Sequence, residues 1–415
     1  MPKIEFIDVT NRDGEQTARI SLSKLQKTVI NWLLDQMGVY QSEMGFPLTA
    51  HEANYINANV ALTKQNCGEN GPLINRIQLS GWSRALASDV KIAQERTDVE
   101  HFNLSISTSE QMLEWKFQGK FTNEDIIRMM VDSVIAAKEG GAVTAGVNAE
   151  DASRTDLGFL IEFAQAGKEA GADRFRYCDT LGYDDPESTA KRISILAKEV
   201  QMPIEMHCHN DLGLAVANSC AGAVACCEAG QDAYINTTVN GLGERAGNAD
   251  LVSCVLALEY SAKWGRENWV TDTIDLSQAW KLAYYVSNAF GVPIPINQPG
   301  VGDNAFAHES GIHADGALKD RHNYELYDFE ALGRGEIIHT QTGRVITAGA
   351  HSGASGLEYV YNQLDLGFRD EEHKREILKL AQVANLHNQA PLTEEELWFI
   401  YHCPEIAARL MTVTV

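Results

Sequence analysis

The chain has 415 residues, of which 44% are hydrophobic and 22% are charged, values typical of a globular protein with a sizeable core. Its formal net charge is −23, which argues against nucleic acid or an anionic membrane as a partner. The eight cysteines include no Cys-x-x-Cys pair, and we find neither a signal peptide nor an apolar run of about 18 residues. We therefore expect a cytoplasmic protein with buried, reduced thiols.

Hydrophobic patterns predict eight strands that alternate with helices over about the first 260 residues. The predicted strands cover residues 4–10, 39–46, 76–82, 101–107, 143–149, 174–179, 203–209 and 234–239. We expect Ser21 or Ser23 to cap a first helix that ends near Met37, and a second helix over 50–66. Several later helices end in a glycine just before the next strand, which is typical of a helix C-cap.

This alternation is typical of a (β/α)8 TIM barrel, an α/β fold, and the alternative is a doubly wound open sheet. Polar residues follow nearly every predicted strand, and a barrel would bring all eight of these ends around one mouth. This favours the barrel. The polar positions include Arg12, Asp13, Glu43, Arg84, Ser107, Glu150, Thr180, His207, His209 and Asn240.

Beyond about residue 265 the alternation ends. We assign 1–265 to a catalytic barrel, 266–320 to a helix, a Gly/Pro linker and a polar loop, and 321–415 to a mainly helical accessory region. Within these segments, helices are predicted over 276–290, 355–363, 370–388 and 393–402.

The predicted strand 203–209 carries groups that bind metals. Glu205, His207 and His209 alternate along it and therefore point to one side. With a carboxylate from Asp13, the two imidazoles would suit a divalent ion such as Mg²⁺, Mn²⁺, Zn²⁺ or Fe²⁺. Arg12 would place a fixed cation beside any oxygen that becomes negative. A purely structural role, with satisfied histidines and a local Arg-Asp ion pair, remains the alternative.

Two more segments have groups suited to chemistry. The glycine-rich loop 241–248 follows strand eight, where barrel loops often bind phosphate, although Gly-x-Gly is equally typical of a plain turn. The segment 304–316 contains His308 and His313, either of which could act as a general base near neutral pH. The alternative is an exposed hinge.

Four motifs in order resemble the homocitrate, 2-isopropylmalate and citramalate synthases, which belong to the metal-dependent TIM-barrel lyases and acyl-CoA condensing enzymes; Re-type citrate synthases are further relatives. The resemblance extends over about residues 4–355. The motifs are Asn-Arg-Asp-Gly-Glu-Gln (11–16), His-Cys-His-Asn-Asp-Leu-Gly (207–213), Asn-Gly-Leu-Gly-Glu-Arg-Ala-Gly-Asn (240–248) and Phe-Ala-His-Glu-Ser-Gly-Ile-His (306–313). The resemblance implies a Claisen condensation of acetyl-CoA, the co-substrate, with a 2-oxo acid. Hydrolysis of the thioester would then release CoA.

The resemblance also implies roles for single residues. Asp13, His207 and His209 match the family's ligands for a divalent metal (Mg²⁺, Mn²⁺ or Zn²⁺), and Asn248 matches a fourth ligand of some members. Arg12 matches the arginine that stabilises the developing alkoxide. His313 matches the base for acetyl-CoA, which comes from the neighbouring subunit of a homodimer or dimer-based oligomer. The other predicted site residues are Glu150 and Glu205 (catalytic), Gln16, Glu43, Arg84, Ser107, Arg154 and Thr180 (substrate), and Gly241, Gly243, Glu244 and Arg245 (CoA-side loop).

The polar residues near strands two to five favour a dicarboxylic substrate, 2-oxoglutarate or oxaloacetate, because a second carboxylate needs polar partners. They are Arg84, His101, Ser107, Ser109 and Arg154, and the arginines are equally compatible with surface ion pairs. We thus predict a homocitrate or Re-type citrate synthase, with 2-isopropylmalate or citramalate synthase as the alternative.

Three other functions fit the sequence less well. A 3-hydroxy-3-methylglutaryl-CoA-type lyase would carry a cysteine in the glycine-rich loop, where Glu244 and Arg245 stand. A biotin-dependent carboxyltransferase would need a lysine in the barrel mouth, and no predicted strand end supplies one. A catalytically silent binding protein would not need the complete set of Arg-Asp, His-x-His and base-loop motifs.

Overall fold

Eight parallel strands close into a barrel in the computed structural model, which describes residues 1–65, 72–335, 348–349 and 354–412. Each strand pairs with the next one in sequence, and the first pairs with the last. The closed ring confirms the predicted (β/α)8 barrel and excludes the open sheet. The strands are β1 (Ile4–Asp8), β2 (Gln41–Glu43), β3 (Gln78–Arg84), β4 (His101–Ser107), β5 (Thr144–Glu150), β6 (Arg174–Asp179), β7 (Ile204–Cys208) and β8 (Ala233–Thr237).

Helices alternate with these strands and continue after the barrel. The barrel helices are α1 (Lys24–Met37), α2 (Ala50–Leu62), α3 (Ala87–Arg96), α4 (Asn123–Glu139), α5 (Leu157–Glu169), α6 (Pro186–Val200), α7 (Ala215–Glu228) and α8 (Leu251–Tyr260). The later helices are α9 (Ala279–Phe290), α10 (Gly311–Lys319), α11 (Ala354–Gln363), α12 (Glu371–Asn388), α13 (Glu394–His402) and α14 (Pro404–Leu410). None of the helices in the described ranges is long and apolar enough to cross a membrane.

Local sequence signals account for several of these boundaries. Ser23, rather than Ser21, caps α1, and its side chain accepts from the Gln26 backbone N–H in a reciprocal capping box. Thr393 caps α13 in the same way. Gly171 and Gly230 have φ angles of 101° and 90°, a left-handed conformation in which glycine avoids the strain that a Cβ would cause.

The two faces of β7 differ as the alternation predicted. Met206 and Cys208 point away from the barrel axis and are buried beneath the helices. A Cβ at Gly222 of α7 would collide with the Met206 side chain, so the absence of a side chain there lets α7 approach the strand closely. Glu205 and His207 point into the barrel, which places the histidine at its mouth.

Two predicted segments differ from the structure. β2 is shorter than the predicted strand 39–46, although the Met44 N–H still bonds to the Ser80 carbonyl of β3 at 2.9 Å. The polar segment 304–316, predicted as a loop, enters α10 at Gly311. Ser310, the residue before this helix, has an extended backbone conformation. The first part of the segment is therefore irregular and its second part is helical.

The C-terminal helices pack against the start of the barrel domain. The indole rings of Trp32 (α1) and Trp398 (α13) stack with centroids 4.7 Å apart, and the Tyr285 hydroxyl donates to Glu396 at 3.1 Å. The helices predicted over 355–363, 370–388 and 393–402 are present as α11, α12 and α13. Parts of the predicted accessory region 321–415 and the end of the helix predicted over 50–66 lie outside the described residues.

Candidate active site

A cavity of about 300 Å³ opens at the carboxyl end of the barrel. It brings together residues that are far apart in the sequence, because the carboxyl ends of all parallel strands meet there. The predicted site residues that line it are Arg12, Asp13, Gln16, Glu150, Thr180, His207, His209, Glu244 and Arg245.

Asp13, His207 and His209 form a cluster that can hold a metal ion. One ligand atom from each lies within 4.8 Å of the others, and the His207 Nε2 is 3.2 Å from the Asp13 Oδ2. All three side chains are at least nine-tenths buried. The His207 Nδ1 lies 2.9 Å from the Asn236 Oδ1, which favours a proton on Nδ1 and leaves the Nε2 lone pair directed at the cluster.

The charge states in this cluster also suit a metal. Burial alone would raise the pKa of Asp13, but the Arg12 guanidinium and the two histidines hold it well below its usual range. Burial, with His207 alongside, lowers the pKa of His209 to about 4. Near neutral pH the cluster therefore offers an ionised carboxylate and a neutral imidazole, the forms that bind divalent cations.

Asn248, predicted as a fourth ligand, is buried next to His209 in the backbone but does not line the cavity. It is 3% exposed, and neither atom of its amide has a hydrogen-bond partner among the described residues. The backbone bridge between His209 and Asn248 holds the two residues together. A Cβ at Gly243 would collide with the Asn248 amide. A carboxylate, two imidazoles and an unpartnered amide oxygen fit a divalent ion.

Arg12 joins the cluster to a buried ion-pair network under the cavity. Its Nη1 donates to Asp13 at 2.8 Å, and its Nε donates to Glu43 at 2.6 Å. Glu43 also accepts from Arg176 at 2.7 Å. Glu205 pairs with Arg174 at 2.7 Å and with Arg176 at 2.6 Å. These contacts fix the guanidinium of Arg12 beside the cavity.

Glu43, predicted to bind substrate, and Glu205, predicted to be catalytic, lie inside this network and do not line the cavity. Both are fully buried. Burial would raise the pKa of Glu43, but Arg12 and Arg176 lower it to about 2. The pKa of Glu205 is likewise lowered by Arg176 and Arg174 against the effect of burial. Their carboxylate oxygens are hydrogen-bonded to arginines, so Glu43 and Glu205 position the guanidinium groups of those arginines.

The wall formed by β4 and β5 has a polar cluster of its own. Ser107 donates to Glu150 at 2.6 Å, and the Lys116 Nζ contacts both Glu150 oxygens at 2.7 Å. Lys116 ends a π-helical turn, Met112–Lys116, that follows β4. The barrel mouth therefore contains a lysine, contrary to the expectation from the strand ends alone.

Sequence reasoning missed several groups that line the cavity. They are Phe46, Trp82, Ser105, Lys116, Asn148, Arg176 and Cys178. The inward parity of the predicted strands could have identified Ser105 and Asn148, since they sit two residues from Ser107 and Glu150. Lys116 has no comparable strand signal, because it reaches the cavity from the turn after β4.

The glycine-rich loop lies at the rim. Arg245 is in a left-handed conformation with φ of 57°, and its guanidinium pairs with Asp211 at 2.9 Å. It also donates to the Thr180 carbonyl at 2.5 Å. Gly241 has φ of 69° and the Gly243 carbonyl accepts from Thr17 at 3.2 Å, so the loop is tied to both sides of the mouth.

Several predicted residues lie away from the cavity. Arg84 is exposed and pairs with Asp89 at 2.6 Å. Arg154 pairs with Asp151 at 2.6 Å and lines a separate cleft. Their guanidinium groups form local ion pairs, the alternative left open from the sequence.

The remaining predicted residues are also held locally or lie elsewhere. Ser109 hydrogen-bonds to Asp151, and His101 starts β4 at the opposite end of the barrel. His313 is an exposed residue of α10, does not line the cavity, and stacks on Tyr324 with ring centroids 4.3 Å apart.

Comparisons with known proteins agree with this architecture. Residues 3–286 match the family model described as HMGL-like, and residues 301–388 match the model described as homocitrate synthase post-HMGL domain-like. The chain is 54% identical to a citrate (Re)-synthase of Dehalococcoides mccartyi, over 100% of this chain and 99% of that protein. It is 38% identical to 2-isopropylmalate synthase 2 of Caldanaerobacter subterraneus, over 96% and 95% of the two chains.

A solved structure shares the barrel. The crystal structure of an HMG-CoA lyase from Bacillus subtilis superimposes with a TM-score of 0.55 at 18% identity, covering 71% of this chain and 97% of that chain. At this level of identity the likeness concerns the fold.

Proposed function

Because this chain belongs to the HMGL-like family and continues into a homocitrate synthase post-HMGL domain-like segment, we propose that it condenses acetyl-CoA with a 2-oxo acid and hydrolyses the thioester to release CoA. The observation that carries this proposal is the buried Asp13, His207 and His209 cluster with Arg12 beside it in one cavity. An ionised carboxylate, two imidazoles and a fixed guanidinium suit the chelation and polarisation of a 2-oxo acid.

We propose Asp13, His207, His209 and Asn248 as the residues that hold the divalent ion. When bound, Mg²⁺, Mn²⁺ or Zn²⁺ would act as a Lewis acid on the keto group. The protein contributes a preorganised donor set, because Asn236 orients His207 and the glycine-rich loop places Asn248.

Arg12 has the position to stabilise negative charge on the keto oxygen as the new carbon–carbon bond forms. Its Nε and Nη1 are held by Glu43 and Asp13 at 2.6 and 2.8 Å, so the guanidinium is fixed before the reaction. We propose that Gln16, Glu150 and Thr180, which face the same cavity, contact the substrate. Gly241, Gly243, Glu244 and Arg245 would face CoA from the rim.

A thioester α-proton is weakly acidic, so condensation needs a positioned base. We propose His313 for this role, supplied by the partner subunit of a homodimer. Within one chain His313 is exposed and does not line the cavity, so a second copy would have to bring it to the mouth. Two exposed apolar side chains of α10, Ile312 at 76% and Leu318 at 88%, support a contact there.

The favoured substrate is oxaloacetate, which would make this chain a Re-type citrate synthase. The 54% identity to a citrate (Re)-synthase over the whole length supports this choice over the 38% identity to a 2-isopropylmalate synthase. 2-Oxoglutarate, giving homocitrate, is the second candidate because residues 301–388 match the homocitrate synthase post-HMGL model.

A reducing, cytoplasmic location fits the burial of the cysteines among the described residues. We propose that the chain divides into a catalytic barrel (1–265), a connecting segment (266–320) and an accessory region (321–415). The packing of α13 on α1 supports an accessory region that is docked on the barrel.

The proposal is tested by measuring CoA release from acetyl-CoA with oxaloacetate, 2-oxoglutarate, 2-oxoisovalerate and pyruvate. We expect turnover with oxaloacetate above all, loss of turnover after treatment with a chelator, and recovery when Mg²⁺ or Mn²⁺ is returned. Turnover that a chelator leaves unchanged would reject the metal site. Turnover confined to 2-oxoisovalerate would reject the dicarboxylic substrate.

A further inference from the structure

The cavity has two walls of different character. The metal-binding cluster belongs to β1 and β7, whereas β4 and β5 lie on the other side of the closed ring of eight strands. Lys116 and Asn148 stand on that far wall and line the same cavity. A short 2-oxo acid that is held at the cluster by its carboxylate and keto oxygens would extend its other end toward this wall.

The side-chain amide of Asn148 is buried without a hydrogen-bond partner among the described residues, whereas buried amides normally have one. It is 1% exposed, and neither its Oδ1 nor its Nδ2 has a hydrogen-bond partner among the described residues. A buried amide without partners is costly. Because Asn148 lines the cavity, a ligand that reaches the far wall would satisfy it, and the Nδ2 suits a carboxylate oxygen.

Lys116 supplies the positive charge. Its Nζ contacts Glu150 at 2.7 Å and Ser107 at 3.1 Å, and its side chain is 45% exposed. Half-exposed ion pairs contribute little to stability, and the flexible lysine stem carries three donors. The ammonium group can therefore turn toward a ligand carboxylate without a large loss.

The other cations that line the cavity have fixed partners. Arg12 is bonded to Asp13 and Glu43, and Arg176 is fully buried between Glu43 and Glu205. Arg245 at the rim is paired with Asp211. Among the cationic lining residues, Lys116 is thus the one on the β4–β5 wall, opposite the metal-binding cluster.

We propose that Lys116 and Asn148 together bind the second carboxylate of the 2-oxo acid and so make the site selective for dicarboxylic substrates. This inference rests on the proposed condensing function and names the residues that choose the substrate. It replaces Arg84 and Arg154, which the sequence suggested for this role and which the structure places in local ion pairs away from the cavity.

The test compares kcat/KM for oxaloacetate and for pyruvate, which lacks the second carboxylate, in wild type, Lys116→Met and Asn148→Ala. Loss of a charge-assisted hydrogen bond should lower kcat/KM for oxaloacetate by about 10- to 100-fold. The value for pyruvate should change by less than about threefold. Lys116→Met also leaves the Glu150 carboxylate without its lysine partner, and that negative charge would itself repel a second carboxylate. Asn148→Ala keeps the Lys116–Glu150 pair, so a lower oxaloacetate-to-pyruvate ratio in Asn148→Ala isolates the carboxylate contact.

Two controls accompany these variants. Lys116→Arg keeps the charge and should recover most of the preference for oxaloacetate, whereas Lys120→Met, at an exposed lysine that does not line the cavity, should behave as wild type. An oxaloacetate-to-pyruvate ratio in Lys116→Met that equals the wild-type ratio would overturn the inference. So would a wild-type enzyme that prefers pyruvate, although condensation itself would then stand.

Calorimetric binding of oxaloacetate and pyruvate in the presence of Mg²⁺ separates this inference from the proposed function. If wild type releases CoA with none of the acids, the proposed function fails. Weaker oxaloacetate binding in Lys116→Met, with pyruvate binding unchanged, would still support the carboxylate site. Equal oxaloacetate binding in wild type and Lys116→Met would overturn it.

Discussion

Replacement of Glu43 by glutamine tests the buried ion-pair network most sharply. Glu43 is fully buried and accepts hydrogen bonds from Arg12 at 2.6 Å, Arg176 at 2.7 Å and Asn103 at 2.6 Å. Glutamine has nearly the same size, but it removes the negative charge and replaces one acceptor oxygen with a donor. The buried guanidinium groups of Arg12 and Arg176 would each lose a negatively charged partner.

The size of the effect follows from the perturbed pKa. Burial would raise the pKa of Glu43, yet Arg12 and Arg176 lower it from its ordinary value of 4.5 to about 2. At about 1.4 kcal/mol per pKa unit, this corresponds to roughly 3 kcal/mol of stability. That stability is present above about pH 4.5 and is lost as the pH falls toward 2. Removing one partner of a buried pair costs about 3–5 kcal/mol, a range that agrees with this value.

Urea unfolding followed by circular dichroism near neutral pH measures the loss. We expect Glu43→Gln to lower the free energy of unfolding by about 3–5 kcal/mol. Glu228→Gln serves as the matched control, because its pair with Lys263 at 3.1 Å is largely exposed and should contribute less than about 1 kcal/mol. A Glu43→Gln protein as stable as the Glu228→Gln control would refute the energetic role of the network.

Two other predictions concern the accessory helices and the metal site. Burial raises the pKa of Glu396 from 4.5 to about 7, so the folded protein keeps a proton that the unfolded chain loses, and stability falls as the pH rises from about 4.5 to 7. Glu396→Gln should flatten that fall in thermal unfolding midpoints, and a pH profile equal to that of wild type would contradict this. His209→Ala should abolish Mn²⁺ binding measured by calorimetry, whereas His101→Ala, at the other end of the barrel, should keep it; equal binding by both variants would exclude His209 as a ligand.

The sequence was most informative where chemistry is local to a strand. Alternation along β7 places His207 and Glu205 on one face whatever the rest of the fold does, and the barrel topology then brings Asp13 beside the histidines. The ligand cluster could therefore be predicted before any coordinates were known. The eight strands were predictable from their regular alternation with helices, several of which end in a C-cap glycine just before the next strand.

Other site residues depend on contacts that no local pattern records. Arg84, at the end of β3, is on the strand face that points into the barrel. Its guanidinium nevertheless forms an ion pair with Asp89, five residues further along the chain. Lys116 reaches the cavity from a π-helical turn outside any strand. Arg174 and Arg176 fill a barrel interior that is more often apolar. Their ion pairs with Glu205 depend on the pairing of β6 with β7, which places the three residues side by side.

The central claim is that this chain forms a carbon–carbon bond between acetyl-CoA and a 2-oxo acid at the Asp13, His207 and His209 site. Following methyl-¹³C-labelled acetyl-CoA by NMR, with oxaloacetate and with Mg²⁺ or Mn²⁺ present, tests it most directly. We predict that the label appears in a methylene group of citrate, with one free CoA for each citrate, and that a chelator prevents this. Recovery of the label as acetate, with CoA released but no new carbon–carbon bond, would contradict the account.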